Sequence, residues 1–96
     1  MSDLRFTWAE TKAAENVRKH GLTFDEAKTV FDDPSLLVEL DLVHSDVEER
    51  LHNIGFSEKA RILMVVTTDR NETIRIISAR RATKAEARRY AEQGYR

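Results

Sequence analysis

The 96 residues carry 34% charged side chains, a formal net charge of −1, one proline, three glycines and no cysteine. That length allows one core, so residues 1–96 are expected to form a single domain, and the composition is neither low in complexity nor that of a disordered chain. The sequence offers no disulfide, thiolate metal site or thiol nucleophile; with no long apolar run and no signal-like start, no membrane contact is expected and the cytoplasm is the expected compartment.

The small net charge hides a split. Residues 1–58 hold six Lys/Arg against thirteen Asp/Glu, whereas residues 70–96 hold eight against three. Such asymmetry suggests a nucleic-acid surface at the basic end, although charge alone fits a solvated face equally well.

Leu4 to Trp8 alternates apolar and polar residues and predicts a short strand with one buried face. From Glu10 the period becomes helical, with Ala13, Ala14 and Val17 on one side, and the helix is expected to end at Gly21 after the basic Lys19 and His20. Thr23 and Glu26 have capping-box spacing, with Leu22 and Ala27 at the staple positions, so a second helix should run to Asp33, where Pro34 disfavours helical geometry.

After Pro34 the period is two. Leu36 to Val43 predicts a strand with Leu36, Val38, Leu40 and Leu42 on its apolar face, and His44 to Glu48 a polar turn. Strands are expected over Arg50–Phe56, Ile62–Thr68 (apolar on both faces, hence central) and Thr73–Arg80, with turns at Ser57–Ala60 and Arg70–Glu72. Thr83 and Glu86 form a second capping-box signal that opens a terminal helix carrying Arg88, Arg89 and Tyr90. The order β-α-α-β-β-β-β-α argues for an α+β fold, with helices packed on a mostly antiparallel sheet.

The histidines, His20, His44 and His52, lack the spacing and companion ligands of a zinc site, so no metal and no cofactor are expected. Motifs of nucleotide hydrolases, serine hydrolases and zinc proteases are absent. What remains is the basic strand Ile74–Arg81 with Arg61 opening its neighbour. Strict alternation puts Arg75 and Arg80 on opposite faces unless the strand bulges, and the hairpin is expected to bring Arg61 close to Arg80. Paired guanidinium groups suit phosphate. Metal-free RNA cleavage further needs a base for the 2′-hydroxyl and an acid for the leaving 5′-oxygen. Glu49 or His52 is a candidate base, Tyr90 or His20 a candidate acid; each also has an ordinary structural use.

These segments resemble the BrnT toxins of bacterial type II toxin–antitoxin pairs. The resemblance runs through F-T-W at Phe6–Trp8, K-A-A-E-N-V-R-K-H-G at Lys12–Gly21, T-F-D-E-A at Thr23–Ala27 and V-F-D-D-P at Val30–Pro34. It continues with E-E-R at Glu48–Arg50, I-G-F-S at Ile54–Ser57, I-R-I-I-S-A-R-R-A-T at Ile74–Thr83 and E-x-x-R-Y at Glu86–Tyr90. It implies a RelE-like fold and a ribonuclease that halts translation. Its implied partner is a BrnA-like ribbon-helix-helix antitoxin, in a hetero-oligomer that represses its own operon and meets operator DNA only through the antitoxin.

Carried onto this chain, the basic positions are Arg50, Arg61, Arg75, Arg80 and Arg81, and the acidic and polar ones Glu49, Ser78, Glu86 and Tyr90. Arg61, Arg80, Glu49 and Tyr90 are the expected catalytic set; Arg50, Arg75, Arg81 and His52 are the expected RNA-binding set. The clearest departure is Ala9, where relatives usually have aspartate, leaving Thr7 or Thr11 as the expected cap of the first helix. The alternative is a non-catalytic interaction or nucleic-acid-binding module. DNA reading by the second helix is disfavoured, since Asp25, Glu26, Asp32 and Asp33 face Lys28 alone among its charges.

Overall fold

The computed structural model describes residues 4–93. Strand β1 (Phe6–Thr7) leads into helix α1 (Glu10–His20), and α2 (Phe24–Ala27) tightens into a 3-10 segment over Lys28–Asp32. Strands β2 (Leu37–Leu40), β3 (Leu51–Phe56), β4 (Ile62–Arg70) and β5 (Thr73–Arg81) follow, and α3 (Lys84–Glu92) closes the chain. The sheet order is β1-β5-β4-β3-β2. Every pairing is antiparallel except β1 with β5, so the α+β sheet is mixed.

Local chemistry explains most boundaries. Gly21 ends α1 in the left-handed region (φ 68°), where its N–H bonds the Val17 carbonyl; a glycine pays no Cβ penalty there. The start of α1 departs from expectation: Ala9 is the N-cap, with no side-chain cap from Thr7 or Thr11. Thr23 caps α2 through the Glu26 N–H, but the reciprocal half of the expected box is missing. The Glu26 carboxylate instead takes a two-pronged bond from Arg61. The predicted long second helix is one α turn followed by 3-10 geometry, and Asp33 leaves it extended (ψ 116°) before Pro34.

Two layers bury the sheet. On one face α1 and α2 pack Leu22, Phe24, Ala27 and Val30 against Leu63, Val65, Ile76 and Ala79. Asn16 fixes this layer: buried in α1, it donates to the carbonyls of Leu22 and Ala79 and accepts from the Ala79 N–H, at 2.9–3.0 Å. The other face carries Ile54, Met64 and Val66, with Leu37, Ile62, Ile77, Ala82 and Tyr90 around them.

Helix α3 covers only the β2–β3 half of that second face. It is tied there by Arg89 to Glu39, by Tyr90 edge-on to Phe56 at 5.7 Å and by Gln93 to the Ser35 carbonyl. Strand β2 also differs from expectation. Val38 and Leu40 stay half exposed, whereas Leu37 packs inward, because β2 lies at the sheet edge beyond the reach of α1 and α2.

Candidate functional site

The open half of the second face is shaped by one irregularity. Val66 pairs with Ser78 but Thr67 pairs with Ile76, so Ile77 is an extra residue in β5. A bulge of this kind resets the alternation. Ile76 and Ala79 both reach the core under α1 and α2, and Arg75 and Arg80 consequently share the opposite face.

The same bulge keeps Arg61 and Arg80 apart, against the expectation that they are neighbours. Arg61 lies on the face of Leu63 and Val65, where its guanidinium meets Glu26 of α2 at 2.7 and 2.9 Å. Arg80 stands opposite Met64 on the other face and makes a two-pronged bond to Glu86 at 2.9 and 3.0 Å. In the observed register Arg80 stands opposite Met64, three positions along from Arg61, and an odd number of steps in a strand is the other face.

Arg50 is the centre of the open half. It borders three adjoining hollows, one with Asp41, His44, His52, Ser78 and Arg80, one with Glu48 and Val47, and one with Lys12 and Arg75. The first hollow encloses about 380 Å³. The Arg50 Nε is buried and has no hydrogen-bond partner among the described residues. A buried guanidinium N–H without an acceptor is costly unless something else supplies one, and at the wall of a basic groove an anionic oxygen fits.

Beside Arg50, the end of β2 builds a second device. Asp41 is buried, and its carboxylate accepts from the N–H groups of Val43 and His44 at 3.1 Å, which turns the chain out of the strand. This Asx turn is why β2 stops at Leu40 rather than at the expected Val43. The same carboxylate lies 3.0 Å from His52 Nε2 and 3.1 Å from His44 Nδ1. Burial pushes the Asp41 pKa upward, but the backbone N–H groups and the two imidazoles outweigh it and hold it at about 2. It is therefore an anion at neutral pH, shared by two rings.

Of the expected site residues, Arg50, Arg75, Arg80 and His52 converge on this groove; Arg61, Arg81, Glu49 and Tyr90 do not. Arg81 stands opposite Leu63, on the helix-covered side of the sheet. Glu49 is exposed and contributes its carbonyl to Thr68, while Glu48 borders the groove and holds Arg70 at 3.1–3.3 Å. The Tyr90 hydroxyl turns away to Asp33 at 2.5 Å. Burial, then that carboxylate, raises the Tyr90 pKa to about 12.

Sequence reading missed Asp41, taken as one more polar position of an alternating strand, and gave His44 no role. The available signal was D-x-x-H after the strand, with His52 across the hairpin.

A family model described as the ribonuclease toxin BrnT of type II toxin–antitoxin systems matches residues 8–86. Among solved structures, the chain is similar to the Brucella abortus ribonuclease toxin BrnT, at 25% identity and a TM-score of 0.63, over 84% of this chain and 99% of that one. No curated protein matches the sequence significantly. With a family match over most of its length and the shared fold behind it, the chain belongs to the BrnT family of ribonuclease toxins of type II toxin–antitoxin systems.

Proposed function

We propose that this toxin cleaves RNA without a metal ion, in the groove around Arg50, and thereby halts translation. The observation that carries the reading is the buried, unpaired Arg50 Nε between Arg75 and Arg80. Three guanidinium groups along one groove suit successive phosphates of a single strand, and fixed cations stabilise the charge that builds on phosphorus as the 2′-hydroxyl attacks. His52 is the base this arrangement favours, because it is the candidate that borders the groove.

The antitoxin of this reading is a BrnA-like ribbon-helix-helix protein that silences the toxin by covering the groove, acts in the cytoplasm and carries the pair to operator DNA. The segment between β2 and β3 supports such a seat. Leu42, Val43 and Val47 stand 83%, 76% and 98% exposed beside the basic groove, so an apolar segment with acidic residues would cover both. The RelE-like arrangement belongs to the same reading, with the arginine-bearing strand of the sheet as the RNA platform.

The test is induction of the wild type beside Arg80→Ala in bacteria, with growth and total translation followed over minutes, and cleavage of RNA in vitro with EDTA. Arrest by the wild type alone and cleavage in EDTA are expected. Strict dependence on Mg²⁺ would refute the mechanism. Antitoxin binding that leaves RNA intact in every assay would return the chain to a partner-binding module.

A further inference from the structure

Asp41 presents one carboxylate to two imidazoles, and both rings border the hollow that also holds Ser78, Arg50 and Arg80. We propose that His52 is the general base and His44 the general acid of cleavage, and that Asp41 is the residue that positions both. This deepens the reading above and rests on it.

The geometry assigns the tautomers. A carboxylate oxygen is an acceptor only, so the ring nitrogen facing it carries the proton. His52 therefore donates from Nε2 to Asp41 and keeps its Nδ1 lone pair free. His44 enters the step as the imidazolium: its Nδ1–H donates to Asp41 and its Nε2–H is the proton it gives up. His52 sits on the sheet, opposite Val66 in the β3–β4 register, and is 28% exposed. His44 sits at the rim and is 66% exposed. The inner ring suits the base, which must be held against the attacking hydroxyl; the rim ring suits the acid, which recovers its proton from water after each turnover.

The step balances. The 2′-oxygen forms a bond to phosphorus and gives its proton to His52 Nδ1, while the bond from phosphorus to the 5′-oxygen breaks and that oxygen takes the proton from His44 Nε2. The products are a 2′,3′-cyclic phosphate and a 5′-hydroxyl, and one proton has moved from one ring to the other. The charged groups facing the rings are Asp41, Arg50 and Arg80 with Glu86 behind it, and on the outer side of His44 also Asp46 and Glu48, the latter paired with Arg70. Glu39, opposite His52 across β2–β3, is neutralised by Arg89.

The experiment measures kcat/KM against pH for the wild type, His52→Ala, His44→Ala and Asp41→Asn, on an RNA oligonucleotide and on its analogue with a 5′-bridging sulfur. The sulfur leaves without a proton and so needs no acid. The wild type should give a bell-shaped profile, and each histidine variant should lose one limb and about 10²–10⁴-fold in rate. The sulfur analogue should restore His44→Ala to near wild type and leave His52→Ala slow.

Asp41→Asn keeps an oxygen for the turn but offers His52 an N–H, which reverses the tautomer. It should lower kcat about 10²–10⁴-fold at unchanged KM. If the histidine variants, folded by circular dichroism, cleave at the wild-type rate while Arg50→Ala and Arg80→Ala do not, the histidine assignment is overturned and the arginine groove stands. Wild type that leaves both substrates intact under all conditions overturns the groove reading itself.

Discussion

Replacing Tyr90 by Phe separates an acid from a strut. The hydroxyl donates to Asp33 Oδ2 at 2.5 Å, and Asp33 also accepts from the N–H groups of Ser35 and Phe56, both at 2.8 Å. Gly55 makes room for that carboxylate: a Cβ there would stand 3.1 Å from Asp33 Oδ2. Removing the hydroxyl deletes one bond to a charged acceptor and leaves the ring packed on Phe56, so the loss is about 2 kcal/mol, or roughly 8–16 °C in Tm for a domain of this size. Urea unfolding at pH 7 should show this as a lower midpoint at unchanged slope.

The pH dependence follows from Asp33. Its burial raises its pKa, but Tyr90 and the two N–H groups more than compensate and hold it below the usual carboxylate range. A depressed carboxylate contributes stability above its unfolded pKa of about 3.9 and loses it as pH falls through the folded value. The gap between wild type and Tyr90→Phe should therefore be full at pH 7 and shrink in the acid limb. Cleavage per folded molecule should not change, since a phenol held at about 12 and turned away from the groove donates poorly at neutral pH. A variant of wild-type stability with lost cleavage would refute this reasoning.

Three further substitutions test the frame. Ala9→Asp supplies the cap that α1 lacks and should add about 1 kcal/mol in urea unfolding. Ala60 holds φ 59° in the turn before β4, so Ala60→Gly should relieve strain and stabilise by about 1 kcal/mol in the same assay. Asn16→Ala strands the N–H and carbonyl of Ala79 and the carbonyl of Leu22 in the core, at about 3 kcal/mol or more by thermal or urea unfolding.

The elements were legible because their signals are local. A run apolar on both faces marked β4, alternation marked β5, Gly21 marked the end of α1, and Thr83 with Glu86 formed a capping box. What escaped depends on partners distant in sequence. Glu26 abandoned its cap for Arg61, 35 residues on. Ile77 became a bulge, and this decided which arginines share a face. Asp41 gathered His52 from 11 residues away. A period of two locates a strand well, but it cannot register an extra residue, and the arginine groove rests on that residue.

Arg61 and Arg80 make the sharpest contrast, since sequence treats them alike and the fold separates them. Arg61 neutralises Glu26, which is 2% exposed. Hydrogen bonds from Arg61 first, then Ser57, overcome burial and keep that carboxylate's pKa low. Arg61→Ala leaves Glu26 with Ser57 and the more distant charge of Lys59, at about 3–5 kcal/mol, and stability should fall while cleavage per folded molecule holds. Glu26→Gln added to Arg61→Ala should recover part of the loss, because the stranded charge is gone. Arg80 is 36% exposed on its side chain, and Glu86 keeps the N–H of Thr83 when Arg80 is removed. Glu86 is itself buried, so the loss should cost about 1–3 kcal/mol, whereas cleavage per folded molecule should drop about 10²-fold or more if the guanidinium stabilises phosphate charge. Measuring unfolding and cleavage on both variants decides it: if Arg61→Ala abolishes cleavage at full stability, the catalytic face is the one under α1 and α2, and the groove around Arg50 is not the site.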